Sequence, residues 1–356
     1  MRIVVNDIAA EMGGALTVLK SFYEYSLNHD KDNEYIFLLS SPLLDETERI
    51  KVIICDEVKK SGLHKMKFDF FTGKKLINGL KPDYVLSLQN IITFGVKARQ
   101  GVYVHQSIPF QNEKRFSLLK SEERGSAIIQ HFIGAIIKKS VRKADDVFVQ
   151  TKWMRENVAQ KSGVSKSKIS VVPFETQIYE DAPIASESPK NHFFYPATFE
   201  SVYKNQECIY NAIDILEDKG IIDYRITLTL PVDRQPKRSR IVHCGMLSRE
   251  DLYQAYADNI LIFPSYIETI GLPLLEAQYT DTLIFASDCP YSREVLEGYH
   301  NAYFFHPFQP QELADLMQKA IKGEIPFCLS DNNANGIYLN HHTWDVVLDK
   351  IRNEKI

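Results

Sequence analysis

The sequence predicts an α/β chain of two doubly wound, Rossmann-like domains, on three observations. Short apolar runs alternate with amphipathic helical patterns along its length, as βαβ units require. Most of those runs are continuously apolar, as expected of parallel strands covered on both faces. The alternation fails once, between Gln177 and His192, where Tyr-Glu-Asp-Ala-Pro-Ile-Ala-Ser-Glu-Ser-Pro-Lys reads as a polar linker.

At 356 residues the chain is long enough for two domains of ordinary size. The expected division is a first domain over 1–176, a linker over 177–192, a second domain over 193–340 and a terminal helix over 341–356 that returns toward the first domain. Strands are predicted in the first domain at Ile3–Asn6, Tyr35–Leu39, Val52–Cys55, Tyr84–Leu88, Val102–His105, Val147–Gln150 and Ser170–Val172. A helix over Ala15–Leu27 follows the first strand. The second domain offers Phe193–Ala197, Arg225–Leu230, Ile241–Cys244, Ile260–Phe263, Leu283–Ala286 and Tyr303–Phe305. In each doubly wound sheet a ligand is expected beyond the carboxyl ends of the strands.

No run of 18 apolar residues exists, so no membrane span is predicted. Met-Arg-Ile-Val-Val-Asn reads directly as a first strand, without a secretory signal. Cys55, Cys208, Cys244, Cys289 and Cys328 are scattered and lack ligand spacing, so reduced and mostly buried thiols of a cytoplasmic protein are expected. The net charge of −4 hides an asymmetry. Residues 1–180 hold 27 Lys/Arg against 21 Asp/Glu, a balance of +6, and the remainder balances at −10. One domain is therefore expected to face something anionic.

The most informative stretch is Phe263-Pro-Ser-Tyr-Ile-Glu268-Thr-Ile-Gly-Leu-Pro-Leu-Leu-Glu276-Ala277. Pro264-Ser265 end a buried strand, Gly271 releases the backbone, and Pro273 suits the first turn of a helix. Glu268 is thereby placed on a loop at a sheet's carboxyl edge and Glu276 inside the following helix. Around Thr269, Ile270, Gly271 and Leu272 the backbone amides lie at that helix's positive end, where a phosphate or sugar hydroxyl binds.

This stretch resembles the paired-glutamate motif of retaining nucleotide-sugar glycosyltransferases of family 4, which have the GT-B fold of two Rossmann-like domains facing a cleft. Four further segments carry the resemblance. Gly13-Gly14 closes the loop after the first strand, where the family places the donor diphosphate and acceptor. Val102-Tyr-Val-His105 ends a strand with a histidine that the family sets near the donor sugar. Lys204, after Tyr195-Pro-Ala, looks like the family lysine on the diphosphate. Gly245-Met246-Leu247 resembles the loop that holds the nucleobase through backbone groups.

The resemblance implies that Glu276 binds ribose hydroxyls and Lys204 the diphosphate, with amides of Gly14 and Leu272 assisting, while Glu268 and His105 hold the donor sugar. Many members carry an arginine six residues before the lysine. This chain has Thr198, so Lys237, Arg238 or Arg240 must supply that cation, or it is missing. Pro290 and the Arg293-Glu294 pair are expected to brace a helix.

No metal cofactor is expected. Asp30-Lys-Asp32 has the spacing of a metal-binding pair but falls in a polar turn expected to be solvated, and the adjacent His341-His342 point about 100° apart on a helix. The stretch from about Leu118 to Lys143 reads as one long helix with Ile128, Ile129, Phe132, Ile133, Ile136 and Ile137 on a broad apolar face. It ends in Lys138, Lys139, Arg142 and Lys143. With Lys59, Lys60, Lys65, Lys67, Lys74, Lys75 and Phe68, Phe70, Phe71, it forms a surface expected either to face the core or to dock on an anionic membrane. No nucleic-acid motif accompanies this charge.

The expected function is a retaining hexosyl transfer from a nucleoside diphosphate sugar to a saccharide acceptor, in the resemblance a polyprenyl-linked oligosaccharide of capsule, exopolysaccharide or O-antigen assembly. Such an enzyme would be cytoplasmic or peripheral on the inner membrane face. The alternatives are a catalytically silent GT-B partner subunit, an inverting transferase or a nucleotide-sugar epimerase.

Overall fold

The structure, a computed structural model, describes residues 1–11, 13–174, 179, 181–185, 191–197, 200–231, 238–329 and 343–353. Thr198, Lys237, His341-His342 and much of the expected linker lie outside the described residues.

All thirteen predicted strands are present. The first seven are β1 (Arg2–Asn6), β2 (Glu34–Leu39), β3 (Ile50–Ile54), β4 (Tyr84–Ser87), β5 (Arg99–Val104), β6 (Asp146–Val149) and β7 (Ile169–Val171). They form one parallel sheet in the order β3-β2-β1-β4-β5-β6-β7. The other six are β8 (His192–Tyr195), β9 (Arg225–Leu228), β10 (Ile241–His243), β11 (Ile260–Phe263), β12 (Ile284–Ser287) and β13 (Ala302–Phe305). These make a second parallel sheet, β10-β9-β8-β11-β12-β13. Both orders reverse direction beside the first strand of the sheet. Ligands of doubly wound sheets bind at that reversal, here the carboxyl ends of β1 and β4 and of β8 and β11.

The strands form because their side chains are buried on both faces. Ile3, Val4 and Val5 of β1, and Ile260, Leu261 and Ile262 of β11, are fully enclosed. Two compact units result, one of Met1–Phe116, Gly125–Glu175 and Asn340–Ile356, the other of Ser117–Arg124 and Thr176–Leu339. In the first unit a helix over Asp345–Asn353 is preceded by Trp344, whose indole donates to Ser21 Oγ at 2.9 Å and packs edge-on against Phe22.

Three expectations are corrected. The helix predicted from Leu118 begins at Arg124 and runs to Lys143 through a π-helical turn at Ile129–Ile133. Residues 118–123 are not helical, because buried Glu123 turns back to accept from the Ser117 amide at 2.9 Å. Asp30 is buried rather than solvated; its carboxylate accepts from Tyr35 and Asn33, which removes it as an exposed ligand. Of the five cysteines, Cys208 and Cys289 are buried while Cys244 and Cys328 are exposed, so the thiols are not mostly interior.

Candidate functional site

The second unit gathers the central pair. Lys204 leaves β8 through a short 3-10 turn, Val202–Lys204, whose carbonyl end is held by a 2.9 Å hydrogen bond from Tyr195. Asn205 then adopts a left-handed backbone (φ 59°) and donates its amide to Pro264 O at 3.1 Å and Pro307 O at 2.8 Å. That side chain ties the turn after β8 to the loops after β11 and β13. Tyr266 N donates to Tyr203 O at 3.0 Å, which binds the two loops again. On this frame Lys204 Nζ donates to Glu268 Oε1 at 2.7 Å, with both side chains less than a fifth exposed.

The loop from Pro264 to Gly271 is over-determined. Ser287 donates to Pro264 O at 2.7 Å and Tyr291 to Ser265 O at 2.5 Å. Gly271 has φ +82°, and a Cβ there would come within 3.1 Å of Phe263 and Tyr291. Glycine is needed for both reasons. The helix Leu272–Tyr279 starts directly after it, with Pro273 in the first turn. Ile270 is a core side chain, so only its backbone is available to a ligand, whereas Thr269 and Leu272 are half-buried.

Glu276 does not join the Lys204–Glu268 pair. Its carboxylate accepts from Tyr256 Oη at 2.9 Å. Burial pushes the Glu276 carboxyl up, opposed by that hydrogen bond and by the Arg249 guanidinium. The Gly245 loop has positive φ (72°) and carries Met246, 89% exposed, at its tip. Ser248 then caps the helix Arg249–Asp258 by accepting from Asp251 N at 3.1 Å. Arg293 braces through Asp288 rather than Glu294, in a bidentate pair at 2.7 and 2.8 Å, and lies over the Phe304 ring. Arg238 and Arg240 pair with Asp214 and Glu217. Neither is available to replace the family's arginine without breaking its ion pair.

The first unit holds the remaining predicted residues. Gly14 lies exposed in the first turn of the helix Gly13–Asn28, after β1. His105 follows β5; its backbone amide donates to Asn90 Oδ1 at 2.7 Å and its Nε2 lies 2.9 Å from Leu88 O. A carbonyl partner fixes the proton on Nε2 and leaves Nδ1 as the acceptor. Burial holds the imidazole below its usual value, so it is neutral at pH 7. Sequence reasoning missed Asp7, which follows β1 and is buried with both carboxyl oxygens unpaired. Burial raises it to about 8, against the pull of Lys65 and Lys59. Asn205, Tyr256 and Arg249 were also missed. A polar residue immediately past a strand is the available signal for Asp7, and none exists for Tyr256, which reads as ordinary helix core.

Among the described residues no group of three His, Cys, Asp or Glu side chains is placed to hold a metal ion. No helix among them is long and apolar enough to cross a membrane.

Residues 181–335 match the family described as glycosyl transferases group 1. The chain is 23% identical over 314 residues to the O-antigen chain mannosyltransferase RfbU of Salmonella typhimurium, covering 82% of this chain and 86% of that protein. Among solved structures it is similar to the lipopolysaccharide outer core galactosyltransferase WaaB in its apo form (TM-score 0.62, 16% identity, 92% of each chain). It is also similar to Anabaena Alr3699/HepE in complex with UDP-glucose (TM-score 0.61, 15% identity, 91% of this chain and 90% of that one). These likenesses give the fold its class, GT-B, with two Rossmann-like units.

Proposed function

We propose that this glycosyltransferase, whose residues 181–335 match the glycosyl transferases group 1 family, moves a hexosyl group with retention from a nucleoside diphosphate sugar to a saccharide acceptor in O-antigen or related cell-surface polysaccharide synthesis. The observation that carries the reading is the Lys204–Glu268 pair at the reversal point of the second sheet, 2.7 Å apart. Its two charges suit the two ends of such a donor. Lys204 neutralises charge on the leaving diphosphate, which grows in the transition state, and Glu268 accepts from hydroxyls of the transferred sugar. Glu276, oriented by Tyr256, binds the ribose, while amides at the start of Leu272–Tyr279 assist with phosphate. In the first unit, the Gly14 amides and the acceptor Nδ1 of neutral His105 offer contacts of their own to a phosphate and to a sugar hydroxyl. The ammonium takes the place of a metal ion, so none is required.

RfbU's name, an O-antigen chain mannosyltransferase, supports a mannosyl donor and an O-antigen chain acceptor for this chain. A membrane surface fits the first unit. There Leu63, Met66 and Phe71 stand exposed on one helical segment, and Ile128, Phe132 and Ile133 on another. Each segment contains a π-helical turn, Phe68–Thr72 and Ile129–Ile133, and lysines flank both. Apolar side chains with basic neighbours are what an anionic bilayer takes up.

A thermal-shift panel of UDP, GDP, ADP, CMP and dTDP sugars tests the donor assignment, since a true donor stabilises the native state by mass action. A silent partner subunit would shift with none of them and would release no sugar.

A further inference from the structure

Among the described residues, the donor site proposed above is short of positive charge. Lys204 is engaged by Glu268, and Glu276 adds a second carboxylate nearby in sequence. A nucleoside diphosphate sugar brings two more negative charges. Among the described residues of 200–329, Arg238 pairs with Asp214, Arg240 with Glu217 and Arg293 with Asp288, while Arg225 opens β9 at the opposite, amino edge of the sheet.

Arg249 is different. It opens the helix Arg249–Asp258, directly after the Gly245-Met246-Leu247 loop. A cation at the first position of a helix sits against the positive end of the macrodipole, so the helix itself does not call for it. Its guanidinium lies 6.0 Å from the centroid of the Tyr253 ring. Tyr253 packs edge-on against Tyr256 at 6.0 Å, and Tyr256 donates to Glu276 at 2.9 Å. Arg249, Tyr253, Tyr256 and Glu276 thus form one connected run leading from the loop after β10 to the helix after β11. Glu276 feels the guanidinium, which lowers its carboxyl against the effect of burial. Among the described residues Arg249 takes part in no ion pair; its contacts are with the Tyr253 ring and hydroxyl.

We infer that Arg249 is a second donor-site cation, which binds a phosphate of the nucleoside diphosphate and supplies the charge that Thr198 does not. The inference rests on the donor site proposed above. A planar guanidinium suits this role, because it presents paired donors to phosphate oxygens while stacking on an aromatic ring.

The test is calorimetric titration of the full chain and of Arg249→Gln and Arg249→Lys with UDP, GDP, ADP, dTDP and CMP and with the matching nucleosides. Loss of a charge-assisted phosphate contact should weaken the diphosphate that the parent binds by about tenfold or more in R249Q. R249K should recover part of that loss, and the matching nucleoside should bind all three proteins equally. Equal diphosphate binding by R249Q and the parent would overturn the inference and leave Arg249 as packing on Tyr253. Equal losses for diphosphate and nucleoside would overturn it too, by moving the contact to the base or ribose. A parent that binds none of these nucleotides contradicts the donor site itself, which is a separate result from either.

Discussion

Lys204 and Glu268, 64 positions apart in sequence, meet in a 2.7 Å hydrogen-bonded ion pair with both side chains largely buried. Each partner compensates the desolvation of the other. A donor that takes Lys204 for its diphosphate and Glu268 for its sugar replaces this pair with two new ones, so binding exchanges charge partners rather than exposing charges. Truncating one side alone should leave an uncompensated carboxylate or ammonium and destabilise the protein by about 1–3 kcal/mol.

Lys204→Ala should therefore lower the urea midpoint, and Lys204→Met with Glu268→Gln together should recover much of the loss. Turnover should fall further than donor affinity in Lys204→Ala, because leaving-group charge grows in the transition state. A single mutant as stable as the parent, with wild-type turnover, would show that the pair is neither structural nor catalytic.

On the proposed role of Glu276, donor binding depends on pH. Burial raises its carboxyl, so on acidification it becomes neutral at a higher pH than an ordinary glutamate and stops accepting as a carboxylate. Nucleotide affinity should weaken as pH falls through that raised value. Glu276→Gln should remove the dependence and cost about 1.5–3 kcal/mol of nucleotide binding at pH 7. Titrations at pH 5, 6 and 7 read both effects; a pH slope that persists in Glu276→Gln would assign it to another group.

Asp7 makes the opposite kind of demand, on stability. Its carboxyl is near 3.8 in the unfolded chain and about 8 in the fold, so between these values the native state holds a proton that the unfolded state has lost. Stability should fall as pH rises across that window, by at most about 1.4 kcal/mol per pH unit from this group. The gain from Asp7→Asn should be larger at pH 8 than at pH 5. Equal urea midpoints for mutant and parent at both pH values would mean that Asp7 is solvated or paired.

The exposed apolar side chains of the first unit predict membrane association. Replacing Leu63, Phe71 and Phe132 with serine should reduce sedimentation with anionic liposomes while sparing hydrolysis of a water-soluble donor. Binding by the parent should weaken with salt, because the flanking lysines contribute screened electrostatic attraction. Unchanged sedimentation of the triple mutant would remove these side chains from any membrane contact.

The strands were legible because residues such as Ile3, Val4, Val5 and Ile260–Phe263 are apolar without interruption, and parallel pairing leaves little else for such runs to do. Glu268 and Glu276 were legible as candidates because proline and glycine mark the loop and helix start around them. Their partners were not. Nothing in the sequence couples Lys204 to Glu268 or Tyr256 to Glu276, since those contacts come from tertiary packing. Local polarity also misled at Asp30, whose Asp-Lys-Asp context reads as solvent-facing until Tyr35 and Asn33 close over it. Likewise Glu122-Glu123 continues a helical pattern, but Glu123 bonds back to Ser117 and stops it.

The most direct measurement is proton NMR of nucleotide-sugar hydrolysis by the full chain in EDTA, across the UDP, GDP, ADP, CMP and dTDP donors. One donor should release its sugar slowly, with the first-formed anomer retaining the donor's configuration, and Glu268→Gln should suppress that release. Release of the inverted anomer, activity that appears only when manganese is restored, or no release from any donor would contradict the metal-free, retaining transfer proposed for this site.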